Sequence, residues 1–447
     1  MTMSIGRSES LQLAMGDRRI IFLMSLVALV TGYGANVVSH TVFYSRTALE
    51  LSEGGMFWVF TTTRFASLLG LAFALAADRH GRRGPFIAAF TLLPLGNVLT
   101  AIVPGALLFT LTQAVTRVAV IAVGALAVVI LAEELTPNVR ALGLGIYAGA
   151  LGMGAGLGLI LLPLAGRSDN AYRLLFALTG LGVLVAPLLR RFLGESRAYV
   201  HHDKKVTFGQ ALAAGLGRHF WPLAVMAFFV AAFTSPAFEF VLERLQDDLG
   251  WDAGAARFLL LVFSGLGGLG FIVGGRMADR IGRRPTTLVA LTIGLVGGVG
   301  FYNLSSGWLL APSILLASAG ASMWTPTFAA HRSELFPTRV RATAAGWVTN
   351  TAILGSMLGF AVGATVVDRI GLSATISLLG AGVVVAIVVA LRLPETRGLD
   401  LVRRRADRSD ANVPASRPSR ASTPPSPTTP PISPSQTGSP SPAPSPQ

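Results

Sequence analysis

Two arginines, Arg64 and Arg117, stand inside apolar runs long enough to cross a bilayer. A charge at membrane depth is costly, and it marks a pathway or a binding site. At 1.5 Å per residue, Arg117 falls about 18 Å into its run and Arg64 about 12 Å from the end of its own. With few acids near them in sequence, the pair predicts an anionic solute held by charge pairing. His40 and Glu239 lie near the same end of the first and seventh runs. Both are side chains able to exchange a proton near neutral pH. Asn36, Gln113, Trp324 and Asn350 complete the candidate cavity residues, with Asn97, Thr325 and Thr351 at similar depth. Solute sites combine an apolar lining with a few such groups.

A second set of charges falls between runs. Asp78-Arg79-His80-Gly81-Arg82-Arg83 returns as Asp279-Arg280-Ile281-Gly282-Arg283-Arg284, each time after one apolar stretch and before another. A few residues must reverse the chain there, and glycine supplies the positive φ such a turn needs. The arginines stay in the headgroup layer. The carboxylate can pair with them or with the positive N-terminal end of a neighbouring helix. The repeat describes two similar membrane halves in tandem, which rock about a site held between them.

The elements that must position these groups are membrane helices. The 447 residues are 52% hydrophobic and only 13% charged, about half the charge of a soluble domain. Runs near 20–40, 56–77, 85–104, 106–131, 142–164 and 172–189 form the first half; 220–240, 256–277, 285–303, 308–330, 343–366 and 372–392 form the second. The expected class is an all-α integral membrane protein of twelve transmembrane helices in two pseudo-symmetric six-helix bundles. Glycines 143, 145, 149, 152, 154, 156 and 158 suit close approach by the fifth helix.

The net charge of +14 comes from arginines concentrated in the loops that hold the N-terminus and both repeats. That pattern places both termini and both repeats in the cytoplasm, and needs no nucleic-acid partner. The layout expected is a cytoplasmic N-terminus at 1–19, a bundle at 20–191, a cytoplasmic linker at 192–218, a second bundle at 219–393 and a cytoplasmic tail at 394–447. Twelve of the 25 prolines fall from Pro414 onward, so the tail is expected to be disordered from about 413. Its basic start, Arg403-Arg404-Arg405, suits anionic headgroups.

The repeats resemble the signature of the major facilitator superfamily, Gly-x-x-x-Asp-Arg-x-Gly-Arg-Arg. The second copy matches from Gly275 through Arg284, and the first carries Ala74 in place of the glycine. Further segments resemble its sugar-porter and metabolite–proton symporter branch. They are Glu133-Glu134-Leu135-Thr136-Pro137-Asn138-Val139-Arg140, Gly194-Glu195-Ser196-Arg197, Glu334-Leu335-Phe336-Pro337-Thr338-Arg339-Val340-Arg341 and Pro394-Glu395-Thr396-Arg397-Gly398. The resemblance implies cytoplasmic salt-bridge networks that hold an outward-open state. They would use Asp78, Arg82, Glu133 or Glu134, Arg140 and Glu195, and Asp279, Arg283, Glu334, Arg341 and Glu395.

The expected function is secondary active transport of a small organic solute, a metabolite or organic anion, by proton-coupled uptake across the plasma membrane. The aromatic-acid symporters of the family carry an acidic stretch in the first helix. Here that region reads Thr31-Gly32-Tyr33-Gly34-Ala35-Asn36, so the proton carrier is expected elsewhere. A proton-driven efflux antiporter is the alternative, disfavoured because the exporter pattern begun at Gly145 and Gly149 lacks its proline. A non-transporting sensor or scaffold is the second alternative, against which two nearly whole gate motifs argue. Only two lysines occur, and no phosphate-binding Gly-Lys-Ser/Thr. No His-Glu-x-x-His or Gly-x-Ser-x-Gly occurs either, so no catalytic site, metal or cofactor is expected. The partners expected are a solute, protons and membrane lipid, with the chain a monomer.

Overall fold

The computed structural model describes residues 15–136, 139–195, 220–336 and 341–397. The linker from 196 to 219, including Arg197, and the tail from 398 lie outside the described residues. Among those described there is no strand. In hydrocarbon every backbone N–H and C=O must be paired within the chain, and a helix does this segment by segment.

The first half consists of α1 (Met15–His40), a short α2 (Val42–Ala48), α3 (Glu53–Ser67), α4 (Gly70–His80), α5 (Arg83–Ile102), α6 (Ala106–Glu134), α7 (Arg140–Leu161), α8 (Tyr172–Leu178) and α9 (Val185–Phe192). The second half consists of α10 (Phe220–Glu239), α11 (Ala253–Leu259), α12 (Gly270–Ile281), α13 (Arg283–Asn303), α14 (Gly307–Leu335) and α15 (Arg341–Arg392). Ten stretches are long and apolar enough to span a membrane. The last of these holds two spans, because α15 turns at Gly371, where φ is 77°. The joined pair α3–α4 adds another, giving the twelve expected. The second, sixth and eighth spans are not continuous α-helix. They are interrupted at Leu68–Leu69, by a 3₁₀ stretch at Thr179–Leu184 and by a π-turn at Leu260–Ser264.

Within the halves α1 packs on α7 and α5 on α6; α10 packs on α15 and α13 on α14. The α1–α7 approach depends on glycine. A Cβ at Gly32 would lie 2.0 Å from the Leu151 carbonyl oxygen, and one at Gly154 would lie 2.1 Å from that of Leu29. Gly145, Gly149 and Gly152 face open space instead, so only part of the glycine row serves packing.

The two ends of the molecule differ. At the end carrying the repeated motifs, Met24, Phe86, Phe90, Leu126 and Leu131 form a core belonging to the first half alone. A larger core joins the halves at the opposite end, through Val37, Phe57 and Tyr172 with Phe240, Phe301 and Phe360, and continues through the second half to Leu335, Phe336 and Leu393. Phe57 stacks on Phe240 with ring centroids 4.2 Å apart, and Phe60 on Phe360 at 5.2 Å. A Cβ at Gly363 would lie 2.2 Å from the Phe57 ring, so the halves meet there without slack.

Candidate functional site

Beneath that aromatic layer lies the charge cluster, assembled from both halves. Arg64, on the last turn of α3, donates to Glu239 Oε1 at 2.5 Å, and Arg117, midway along α6, donates to the same oxygen at 3.0 Å. Ser39 of α1 donates to Oε2. Glu239 closes α10, so a carboxylate of the second half stands between two cations of the first. Its side chain is 3% exposed, against 17% and 14% for the two arginines. Burial in a medium of low polarity strengthens such contacts and makes their loss expensive. The Arg64 guanidinium also lies 5.5 Å from the centre of the Phe360 ring.

Few acids stand near Arg64 and Arg117 in the sequence, and the fold supplies one from the other half. Glu239 is distant in sequence but folds against both, so each guanidinium is already engaged. His40, next to Ser39, is buried with Nδ1 unpartnered and packs on Gly158, where a Cβ would lie 2.5 Å away. Gln113 donates to Asn97 Oδ1 and Thr100 Oγ1, while Asn97 donates to the Gly34 carbonyl. These residues tie α1, α5 and α6 together, although Gln113 also borders a small pocket beside Arg117. Asn36 donates back to Gly32 of its own helix at 2.8 Å. Trp324 stacks on Phe328 at 4.2 Å and lines a cavity of about 620 Å³, bounded among the described residues by the second half alone. Thr325 borders the same cavity, whereas Asn350 and Thr351 do not.

At the rim of the joined end a polar latch crosses between halves. Arg46 of α2 bridges Glu243 and Asp247 of the second half. Tyr44 accepts from Gln246, and Asp368 accepts from Ser52 Oγ and from the Gly54 backbone at 2.9 Å each. Sequence reading missed this latch, since isolated loop charges carry no spacing signal. Glu243 lies beyond the end of α10; burial pushes its carboxyl up to about 7, more than the nearby Arg46 pulls it down.

At the motif end the ion pairs between described residues lie within one half or the other. Arg82 meets Glu133 at 3.3 Å, and Arg283 meets Glu334 at 2.9 Å and Asp279 at 2.9 Å. Glu195 accepts the backbone N–H of Arg82 at 2.5 Å and of Arg83 at 3.4 Å. Glu395 does the same for Arg283 and Arg284 at 2.8 and 3.0 Å. Each carboxylate therefore sits on the positive N-terminal end of α5 or α13. Gly81 and Gly282 make room, with φ at 93° and 110°; a Cβ there would lie 2.6 and 2.5 Å from those carboxylates. Burial alone would raise the Glu395 carboxyl, and four backbone N–H groups outweigh it and hold the carboxyl below its ordinary range. Arg79, Arg280 and Arg284 stand in the same turns, with Gly275 seven residues before Gly282 on α12. Glu134 ends α6 beside Glu133, and Arg397 follows Glu395, on which its backbone N–H closes at 2.9 Å. Arg140 opens α7 with a buried, unpartnered Nε. The side chains of Asp78 and Arg341 lie outside the described residues.

Among the described residues, every ion pair joining the halves lies at the latch or the charge cluster, none at the motif end. The end opposite the motifs is therefore held by ion pairs between the halves as well as by the shared aromatic core.

The sequence profile of the Major Facilitator Superfamily matches residues 20–301 and 220–425, and the chain belongs to that family of membrane transporters. It is 28% identical over 261 residues to a Haemophilus influenzae protein named as a metabolite transport protein, a match covering 52% of this chain and 57% of that one. It is 30% identical over 163 residues to the multidrug resistance protein MdtH of Cronobacter sakazakii, covering 33% and 38%. The chain thus spans little more than half, or less, of those two relatives. Its fold resembles the inward-open xylose transporter XylE of E. coli, with a TM-score of 0.70 at 18% identity over 87% of this chain and 99% of that one.

Proposed function

We propose that the chain is a proton-coupled symporter for a small organic anion or metabolite, working by alternating access in the plasma membrane. In this reading the motif end and both termini are cytoplasmic, and the structure is its inward-open state. The bridge from Glu239 to Arg64 and Arg117 carries the reading. These three groups sum to one positive charge, which a bound monoanion cancels. A proton on Glu239 bares both arginines and strengthens their hold on an anion, so the two ligands favour each other's binding. Opening the outer side moves Glu239 away from the arginines, so both ligands can enter together. When they leave on the cytoplasmic side the bridge re-forms and the outer seal is restored.

The test is flux in proteoliposomes under an imposed pH gradient, with an internal pH dye and a panel of organic acids, sugars and amphipathic drugs. Anion-dependent proton entry supports the proposal, and Glu239→Gln should abolish uphill accumulation while preserving anion exchange. Anion movement without protons in the wild type would refute the coupling. Unchanged anion transport in Arg117→Ala would refute the anion site.

The apolar cavity of the second half, walled by Phe233, Phe301, Trp324 and Phe328, favours a second reading, efflux of an amphipathic compound. Increased resistance of an expressing host to such compounds would support it over uptake.

A further inference from the structure

A second crevice, of about 720 Å³, opens between the start of α5 and the end of α9, at the motif end of the first half and away from the solute path. Its polar end is formed by Arg83, Arg190 and Glu195. Arg83 donates to the Arg190 carbonyl, which lays its guanidinium over the last turn of α9. The Glu195 carboxylate is turned to the backbone of Arg82 and Arg83 and already satisfies the helix N-terminus. Neither Arg83 nor Arg190 has a carboxylate partner among the described residues, and both are exposed. Below them the crevice runs along Ala88 and Leu92, and the exposed stripe continues along α5 through Leu95 and Leu99.

We propose that this crevice binds an anionic phospholipid of the motif-end leaflet, its phosphate on Arg83 and Arg190 and its acyl chain along α5. Two guanidiniums offer forked donors to the phosphate oxygens, and with Glu195 the crevice carries one net positive charge, which a phosphodiester cancels. Basic pockets between membrane helices at the cytoplasmic face are suited to anionic headgroups. The apolar stripe beginning at the same point distinguishes a lipid from a free phosphate. The site belongs to the first half alone. Glu395 stands where Glu195 does, but five residues earlier the second half has Ala390 in place of Arg190.

Native mass spectrometry of the detergent-purified full chain, titrated with dioleoylphosphatidylglycerol or the matching phosphatidylcholine, tests the proposal. Each arginine near the surface contributes about fivefold in affinity, so Arg83→Gln with Arg190→Gln should weaken the tightest phosphatidylglycerol about twenty-five-fold. Arg190→Gln alone should lie between, and phosphatidylcholine retention should not change, which separates loss of the site from loss of the fold. Arg191 is the control: it lies over the Phe192 ring at 5.3 Å and does not line the crevice, so Arg191→Gln should leave binding intact. Equal phosphatidylglycerol retention by the double variant and the wild type would overturn the proposal. So would an equal loss in Arg191→Gln, which marks diffuse attraction. Displacement by the chain-free headgroup glycerophosphoglycerol at the same concentration would reassign the site to a free phosphate.

Discussion

Replacing Glu239 by Gln keeps the side chain's shape and removes its charge, leaving Arg64 and Arg117 facing an amide. Taking one partner from a buried ion pair costs about 3–5 kcal/mol. The carboxylate is almost wholly buried but both arginines keep some exposure, which places the cost near 3 kcal/mol. In the proposed cycle only the outward-closed state pays it, because opening the outer side there separates Glu239 from the first half. At about 1.4 kcal/mol per factor of ten, the equilibrium should move about a hundredfold toward outward-open. The chain has no cysteine, so paired spin labels are straightforward. Thr47→Cys and Ser305→Cys lie exposed on opposite halves at the sealed end. Double electron–electron resonance should show a short distance in the parent and a long one in Glu239→Gln. An unchanged distance distribution would mean that the bridge does not hold the seal, and the coupling argument would fall with it.

Gly363→Ala should shift the same label pair outward, because its methyl group meets the Phe57 ring across the seam; a parental distance would show that the ring yields freely. Gly81→Ala puts a side chain at φ 93° and ψ 161°, backbone open essentially to glycine alone, at a cost of about 1–3 kcal/mol, and adds a clash with Glu195. A drop in thermal stability is expected, and Gly282→Ala should match it; stability equal to the parent would exclude the cap. Glu243 is surrounded by Arg46, Asp247 and Glu53, and its carboxyl is raised to about 7 in the closed latch. The closed state therefore binds more protons than an open one in which the carboxyl is hydrated. Acidifying the solution at the latch from about 7 toward about 4.3 should favour closure and level off below, with Glu243→Gln flattening the response. A label distance independent of pH would refute it. Trp324→Ala should raise the solute concentration for half-maximal flux severalfold with little loss of maximal rate, and an unchanged value would remove Trp324 from the path.

Much of the architecture was legible in the chain itself. Helices that span a bilayer need long apolar runs, and the repeated Asp-Arg-x-Gly-Arg-Arg turn marks two homologous halves without any tertiary information. The spacing of Gly81 and Gly282 within those turns also announced a positive φ, which the structure contains at both. The breaks at Leu68–Leu69 and Leu260–Ser264 were not legible, because hydropathy does not distinguish one helical hydrogen-bond register from another.

The site divides the same way. Sequence alone placed Arg64 and Arg117 inside apolar runs and Glu239 near the end of another, since each follows from counting residues along a helix. Only tertiary structure decided that the three meet, that Gln113 bonds to Asn97 and Thr100, and that Glu195 and Glu395 accept backbone N–H groups at helix N-termini. Contacts between halves join residues more than a hundred positions apart, and their geometry depends on how the two bundles lean. Depth is a property of one helix, whereas pairing is a property of two bodies.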